Sequence, residues 1–145
     1  MSVETSLTGR VGTIELNRPD RMNALTVDVA RSLGAAGADL VDRGARALVL
    51  TGNGSAFCAG ADLSLVDQAL SEEPAPVLTP LVEGLHRSLV RLRGLPVPLI
   101  AAVEGPAVGA GMGLALCADL RILGEGAKLV PGYMGIGSSP DGGVS

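Results

Sequence analysis

Val97-Pro-Leu-Ile-Ala-Ala-Val-Glu-Gly-Pro-Ala-Val-Gly-Ala-Gly-Met-Gly-Leu-Ala-Leu-Cys-Ala-Asp119 is the stretch on which the reading of this chain turns. Leu99–Val103 is a continuous apolar run with β-branched members, the pattern of a strand buried on both faces. Gly105-Pro106 then turns the chain, and from Gly109 a run of small residues leads into Leu114-Ala115-Leu116. The reading is strand, tight turn, then a buried helix whose first turn is nearly bare of side chains. The first N–H groups of a helix have no internal partner and carry the positive end of its dipole. Gly and Ala there let a ligand oxygen approach those groups. The same small residues equally permit plain close packing of helix on sheet, and this stretch alone does not separate the two.

The remaining 122 or so positions set the frame, since a chain of 145 residues makes one domain (1–145) that buries roughly two-thirds of its unfolded surface. The apolar residues are mostly Ala, Val and Leu; Phe57 and Tyr133 are the only aromatics, and 21 glycines make turns and close backbone approaches important. A net charge of −4, with no Lys/Arg cluster and no stacking aromatics, argues against nucleic acid. No basic-then-apolar leader stands at the N-terminus. The apolar runs fall short of the ~20 residues that span a bilayer. Cys58 and Cys117 do not make a disulfide framework. These features predict a cytoplasmic protein with reduced thiols and no membrane partner.

Working outward, Val3–Leu7 and Val11–Leu16 alternate around Thr8-Gly9-Arg10 as a β-hairpin. Asn17-Arg18-Pro19-Asp20 breaks the second strand, and Thr26 caps a helix carrying Val29, Leu33, Ala36 and Leu40, ended at Gly44. Ala47–Leu50 is a compact strand followed by Thr51-Gly52-Asn53-Gly54, so hairpin, helix and strand follow in a layered α/β order. Ser55–Asp62 is a second small-residue loop, with Asp62 placed to cap a helix from Leu63. Ser71–Pro76 reads as a mobile, proline-broken loop. Leu78, Leu81, Leu85, Leu89 and Leu92 form the apolar stripe of a helix stopped by Gly94 and Pro96. Leu120–Leu123 and Lys128–Val130 are short strands, and Pro131–Ser145 is Gly- and Pro-rich.

Two Gly/Ala loops therefore each follow an apolar strand and precede a helix: Ala59-Gly60-Ala61-Asp62 and Gly109-Ala110-Gly111. If the strands are sheet neighbours, both loops open at one edge, and two exposed N–H groups can converge on one oxygen. The sequence has no Gly-rich phosphate loop ending in Lys-Ser/Thr, no Cys-x-x-Cys and no nucleophile elbow around its serines. His86 lies off the apolar stripe and reads as a solvated surface residue. Cys58 reads as a buried structural thiol. Glu104 ends a strand, either as a base or, preferably, as a carboxylate holding backbone N–H groups. Asp119 resembles a structural turn residue. Asp141 sits in Pro140-Asp141-Gly142-Gly143, which is either a functional carboxylate or a simple turn.

Leu16-Asn17-Arg18-Pro19 with Asn23-Ala24-Leu25, Ala47–Gly52 running into Phe57-Cys58-Ala59-Gly60-Ala61-Asp62, Pro98–Leu120 and, in register, Lys128–Gly143 together resemble the crotonase (enoyl-CoA hydratase/isomerase) superfamily. The resemblance implies an α/β fold of stacked ββα spiral turns. It also implies a C-terminal helical region that builds trimers and would begin about where this chain stops, so that the chain is read as truncated before it. A homo-oligomer, trimer or hexamer, is implied for a complete chain. The family binds acyl-CoA thioesters and stabilises an enolate-like anion with two backbone N–H groups. By motif these belong to Ala61 and Ala110, and Arg21, Ala24, Ala59, Gly60, Asp62, Gly109, Gly113 and Tyr133 line the substrate. No metal and no cofactor beyond the substrate's own coenzyme A is implied.

The departures from the family pattern are informative. The two glutamates that position water in typical hydratases are matched here by Gly113 and Tyr133. Asp141 lies where some family isomerases, and the dehalogenase branch, carry an aspartate. Ser64 stands where many members have a Lys for the coenzyme A phosphates, leaving that contact to Arg21 or to a residue beyond Ser145. The resemblance thus implies double-bond isomerase-like chemistry with Asp141 as general base. The other readings are a non-catalytic acyl-CoA-binding member and an inactive truncated remnant.

Overall fold

Alternating side chains make the strands, and the second strand of the hairpin seeds the sheet. The computed structural model describes residues 1–133, 139–140 and 142. β1 (Val3–Thr8) and β2 (Val11–Leu16) pair antiparallel. Ile14 and Leu16 of β2 are buried, and their neighbours on the other face are half-buried. β3 (Ala47–Gly52), β4 (Leu99–Val103) and β6 (Leu120–Leu123) then add in parallel, giving the order β1-β2-β3-β4-β6. Ile14 faces Leu50, and Leu50 faces Ala101, so the buried residues of three strands form one row. The row packs on Leu33, Leu40 and Leu92 from the helices.

A second, shorter row of strands runs beside the first. β5 (Pro106–Val108) pairs in parallel with β7 (Lys128–Val130). Single parallel bridges, Cys58 to Ala107 and Leu25 to Ala61, extend this row across the two earlier loops. Each turn of chain therefore lays one strand in the large sheet and one segment in the small row before a helix: the ββα spiral that the resemblance implies.

The helices are α1 (Val27–Asp42), α2 (Leu63–Ser71), α3 (Pro74–Arg93) and α4 (Ala110–Leu116). Thr26 caps α1, its hydroxyl accepting from the Val29 N–H at 3.3 Å. α1 and α3 pack closely through Ala30, Gly34, Gly84 and Ser88. None of the helices among the described residues is long and apolar enough to cross a membrane.

Three expectations change. Ser71–Pro76 is not a loop throughout, because α3 starts at Pro74; proline fits a first helical turn, where its missing N–H would have had no partner. Pro106 does not simply turn the chain but opens β5. β4 is not buried on both faces: Leu99, Ala101 and Val103 are buried while Ile100 and Ala102 are half-buried, because only one face meets the core row.

Candidate functional site

β3 and β4 are parallel neighbours, so the loops that follow them leave the sheet at the same edge. They do more than open together. The Cys58 N–H donates to the Pro106 carbonyl (3.2 Å), and the Val108 N–H donates to the Cys58 carbonyl (2.9 Å). Gly60 and Gly109 both have positive φ, +90° and +53°, a backbone state that glycine adopts without Cβ strain. Ala61 and Ala110 are the residues that follow them. A Cβ on Gly111 would overlap the Cys58 carbonyl oxygen, so the two loops touch along their length because neither carries side chains between them.

On its other side the first loop pairs with residues 22–25. The Leu25 N–H donates to the Gly60 carbonyl (2.7 Å), and the Asp62 N–H donates to the Leu25 carbonyl (3.0 Å). In such a parallel ladder the intervening residue turns its own N–H away from the partner strand. The Ala61 N–H therefore faces away from Leu25, on the side where β5 runs. Ala110 is the first residue of α4 and has no i−4 partner there. Among the described residues neither the Ala61 nor the Ala110 N–H meets a protein acceptor. Two unpaired donors on abutting loops can share one oxygen, and they suit an oxygen that gains negative charge.

The flanks of this pair are held by a polar cluster. Asp62 is buried and does cap α2, accepting from the Ser64 N–H (3.1 Å) and the Ser64 hydroxyl (2.8 Å). Its second oxygen pairs with the Arg18 guanidinium at 2.9 Å. Burial alone would raise its carboxyl, but the Ser64 hydroxyl and amide and then Arg18 outweigh it, holding Asp62 below the usual carboxylate range. Arg18 also donates to the Ala24 carbonyl. Asn23, fully buried with φ +55°, donates to the Asn53 (2.9 Å) and Ala56 (2.8 Å) carbonyls and accepts from the Arg18 N–H (2.8 Å).

Arg18 and Asn23 were not among the site residues that the sequence suggests. The available signal was an Asn just after a Pro-Asp turn, since Asn tolerates the left-handed region better than other non-glycine residues.

Ala24 is buried and Ala59 half-buried, and the Ala59 N–H is used by the Met22 carbonyl (2.9 Å). The Gly109 N–H is likewise used by the Val130 carbonyl (2.8 Å). Arg21 is exposed in the short 3-10 turn Pro19–Arg21. Gly113 is buried within α4. Tyr133 is buried, its ring about 3.9 Å from where a Gly109 Cβ would stand, so it borders the second loop. Gly142 lies against Leu85, Leu89 and Gly113. Asp141 lies outside the described residues.

His86 is exposed, as expected. Cys58 is buried, and burial pushes its thiol up to about 12 against a smaller opposing pull from the Gly60 N–H. Asp119 is structural, accepting from the Leu99 N–H (2.8 Å) and from Arg93 (3.0 Å). The Glu104 carboxylate leans over Gly124, and among the described residues it accepts no backbone N–H.

Residues 7–145 match the family model described as enoyl-CoA hydratase/isomerase. A probable enoyl-CoA hydratase of Mycobacterium tuberculosis is 40% identical over 141 residues, covering 97% of this chain and 54% of that protein. The 1,2-epoxyphenylacetyl-CoA isomerase of Escherichia coli K12 is 41% identical over 134 residues, covering 90% of this chain and 50% of that enzyme. A Thermobifida fusca YX structure in complex with acetoacetyl-CoA superposes with TM-score 0.82 at 31% identity, covering 98% of this chain and 58% of that one. The chain spans about half the length of the curated relatives it matches.

Proposed function

This chain belongs to the enoyl-CoA hydratase/isomerase family, and from that membership we propose that it forms the acyl-CoA-binding part of an isomerase-like cytoplasmic enzyme. The substrate is an acyl-CoA thioester, and no cofactor beyond its coenzyme A takes part. The N–H groups of Ala61 and Ala110 donate to the thioester oxygen and stabilise the enolate that forms when a proton leaves C2. One such donor is typically worth about 3–4 kcal/mol in the transition state. The observation that carries this reading is the pair itself: two amides that meet no acceptor among the described residues, each following a positive-φ glycine, on loops that touch.

Double-bond movement is favoured over hydration because the positions that match the water-holding glutamates are Gly113 and Tyr133, and neither is a carboxylate. The Asp141 carboxylate takes the proton from C2 of a β,γ-unsaturated acyl-CoA and returns it at C4, leaving the 2-enoyl product. Leu120 and Ile122 on β6 are more than half exposed, and we assign their burial to neighbours in a homo-oligomer.

The intact protein and its Asp141→Asn variant test this. The wild type should isomerise a 3-enoyl-CoA and hydrate a 2-enoyl-CoA poorly. The variant should keep acyl-CoA affinity and lose at least about a hundredfold in kcat. Efficient hydration by the wild type, or a fully active variant, would overturn the assignment. A non-catalytic acyl-CoA-binding protein would also lack carboxylates at 113 and 133; affinity without any turnover would select that reading.

A further inference from the structure

We propose that Arg18 is a positioning residue, fixing the direction of the Ala61 amide through Asp62 and the Ala24 carbonyl; this rests on the two-donor reading above. Gly60 precedes Ala61, has φ +90° and carries no Cβ, so on the N-terminal side the peptide that bears the Ala61 N–H is joined to the most permissive of residues. Within that peptide the Gly60 carbonyl is held by the Leu25 N–H (2.7 Å), and beyond Ala61 the Asp62 N–H is held by the Leu25 carbonyl (3.0 Å), so the direction of the Ala61 N–H depends on how firmly Ala24-Leu25 and Asp62 are tied together.

One guanidinium nitrogen of Arg18 meets both Asp62 Oδ2 (2.9 Å) and the Ala24 carbonyl. Those two groups flank the ladder bonds from Leu25 to Gly60 and from Asp62 to Leu25. Arg18 thereby closes a ring through both strands with Ala61 inside it. Asp62 is nearly inaccessible, with a side chain 6% exposed, and Arg18 is mostly covered at 21%, so solvent screens the pair only weakly.

The other visible duty of Asp62 does not need Arg18. The α2 cap is made by Asp62 Oδ1 to Ser64, and the Arg18 pair uses Oδ2. Losing the guanidinium leaves the cap but frees the Asp62 carboxylate and the Ala24 carbonyl from their common anchor. An oxyanion donor that swings by a small angle loses most in the transition state, when the oxygen carries its charge.

The test compares the full-length wild type with Arg18→Ala, Arg18→Lys and Asp62→Asn. The bound thioester C=O stretch of a 2-enoyl-CoA is read by difference infrared spectroscopy beside kcat and KM. Wild type should shift the stretch to lower frequency. Arg18→Ala and Asp62→Asn should lose at least half of that shift and roughly ten- to a hundredfold in kcat, with KM within about threefold. Their double variant should be no worse than either alone, since both break one link. Arg18→Lys keeps the charge and should recover part of the shift. If the wild type shows no shift, the two-donor reading itself falls and takes this inference with it. If the wild type shifts and a folded variant keeps the shift and kcat, only the positioning role falls. Unfolding of all three variants at assay temperature would make Arg18 a stabilising residue alone and likewise overturn the proposal.

Discussion

Gly60 backs directly onto Val108: a Cβ built on Gly60 would stand 2.7 Å from the Val108 carbonyl oxygen and 3.7 Å from the Ala110 nitrogen. The contact joins the two loops at the point where their candidate donors lie. Gly60→Ala adds that Cβ against backbone, at a residue whose φ is +90°. The cost should be about 1–3 kcal/mol, a drop of several degrees in Tm by calorimetry. The variant should also lose activity beyond what the lower stability explains. A Tm within a degree of wild type would mean that the loops are free to separate.

Asp62 makes stability depend on acid. Its folded-state carboxyl titrates below the usual range, so the unfolded chain binds the proton more readily. The contribution is fully present above the unfolded carboxylate value, near 3.9, and is lost as pH falls through the lower folded value. Asp62→Asn should cost about 1.5–3 kcal/mol at neutral pH, as expected for hydrogen bonds to a charged group. The gap between variant and wild type should narrow as pH falls below about 4. Urea unfolding at several pH values measures it; a gap that widens in acid contradicts the assignment.

Burial holds the two thiols protonated, Cys58 near 12 and Cys117 near 11. A thiolate-selective reagent at pH 8 should leave Cys58 unmodified in the native protein and label it once denaturant is added. Cys117 is only half-buried and should label slowly without denaturant. Mass spectrometry of the labelled peptides separates the two, and rapid native labelling of Cys58 would show that the loop core opens readily.

Ser88 links α1 to α3. Its hydroxyl donates to the Ala30 carbonyl (2.6 Å) and accepts from the Gly34 N–H (3.1 Å). Ser88→Ala leaves both backbone groups with one partner fewer in a buried setting and should cost about 1–2 kcal/mol. Ser88→Val should cost more, because a Gly34 Cβ would already be within 3.0 Å of the Ser88 backbone. Chemical denaturation measures both, and a neutral Ser88→Ala would show that the hydroxyl is dispensable.

The sequence by itself determined whatever rests on local period and local hydrogen bonding. Alternation placed β2, a compact apolar run placed β3 as far as Leu50, the leucine stripe placed the body of α3, and Thr26 and Asp62 marked the starts of α1 and α2. The two small-residue loops were legible because glycine and alanine in a strand-to-helix turn are visible without knowing what packs on them. Only the tertiary structure decided what those loops touch. β5 is three residues long and begins with proline, too short for a period, and it exists because Cys58 and Leu129 pair on its two sides. Arg18 reaches Asp62 and Asn23 reaches Ala56, each in another segment, and Ser88 acts on a carbonyl 58 positions earlier. A hydrogen bond between distant segments leaves no spacing in either of them. The positive φ at Gly60 and Gly109 is of the same kind: glycine permits that backbone state, and the crowded meeting of the two loops selects it.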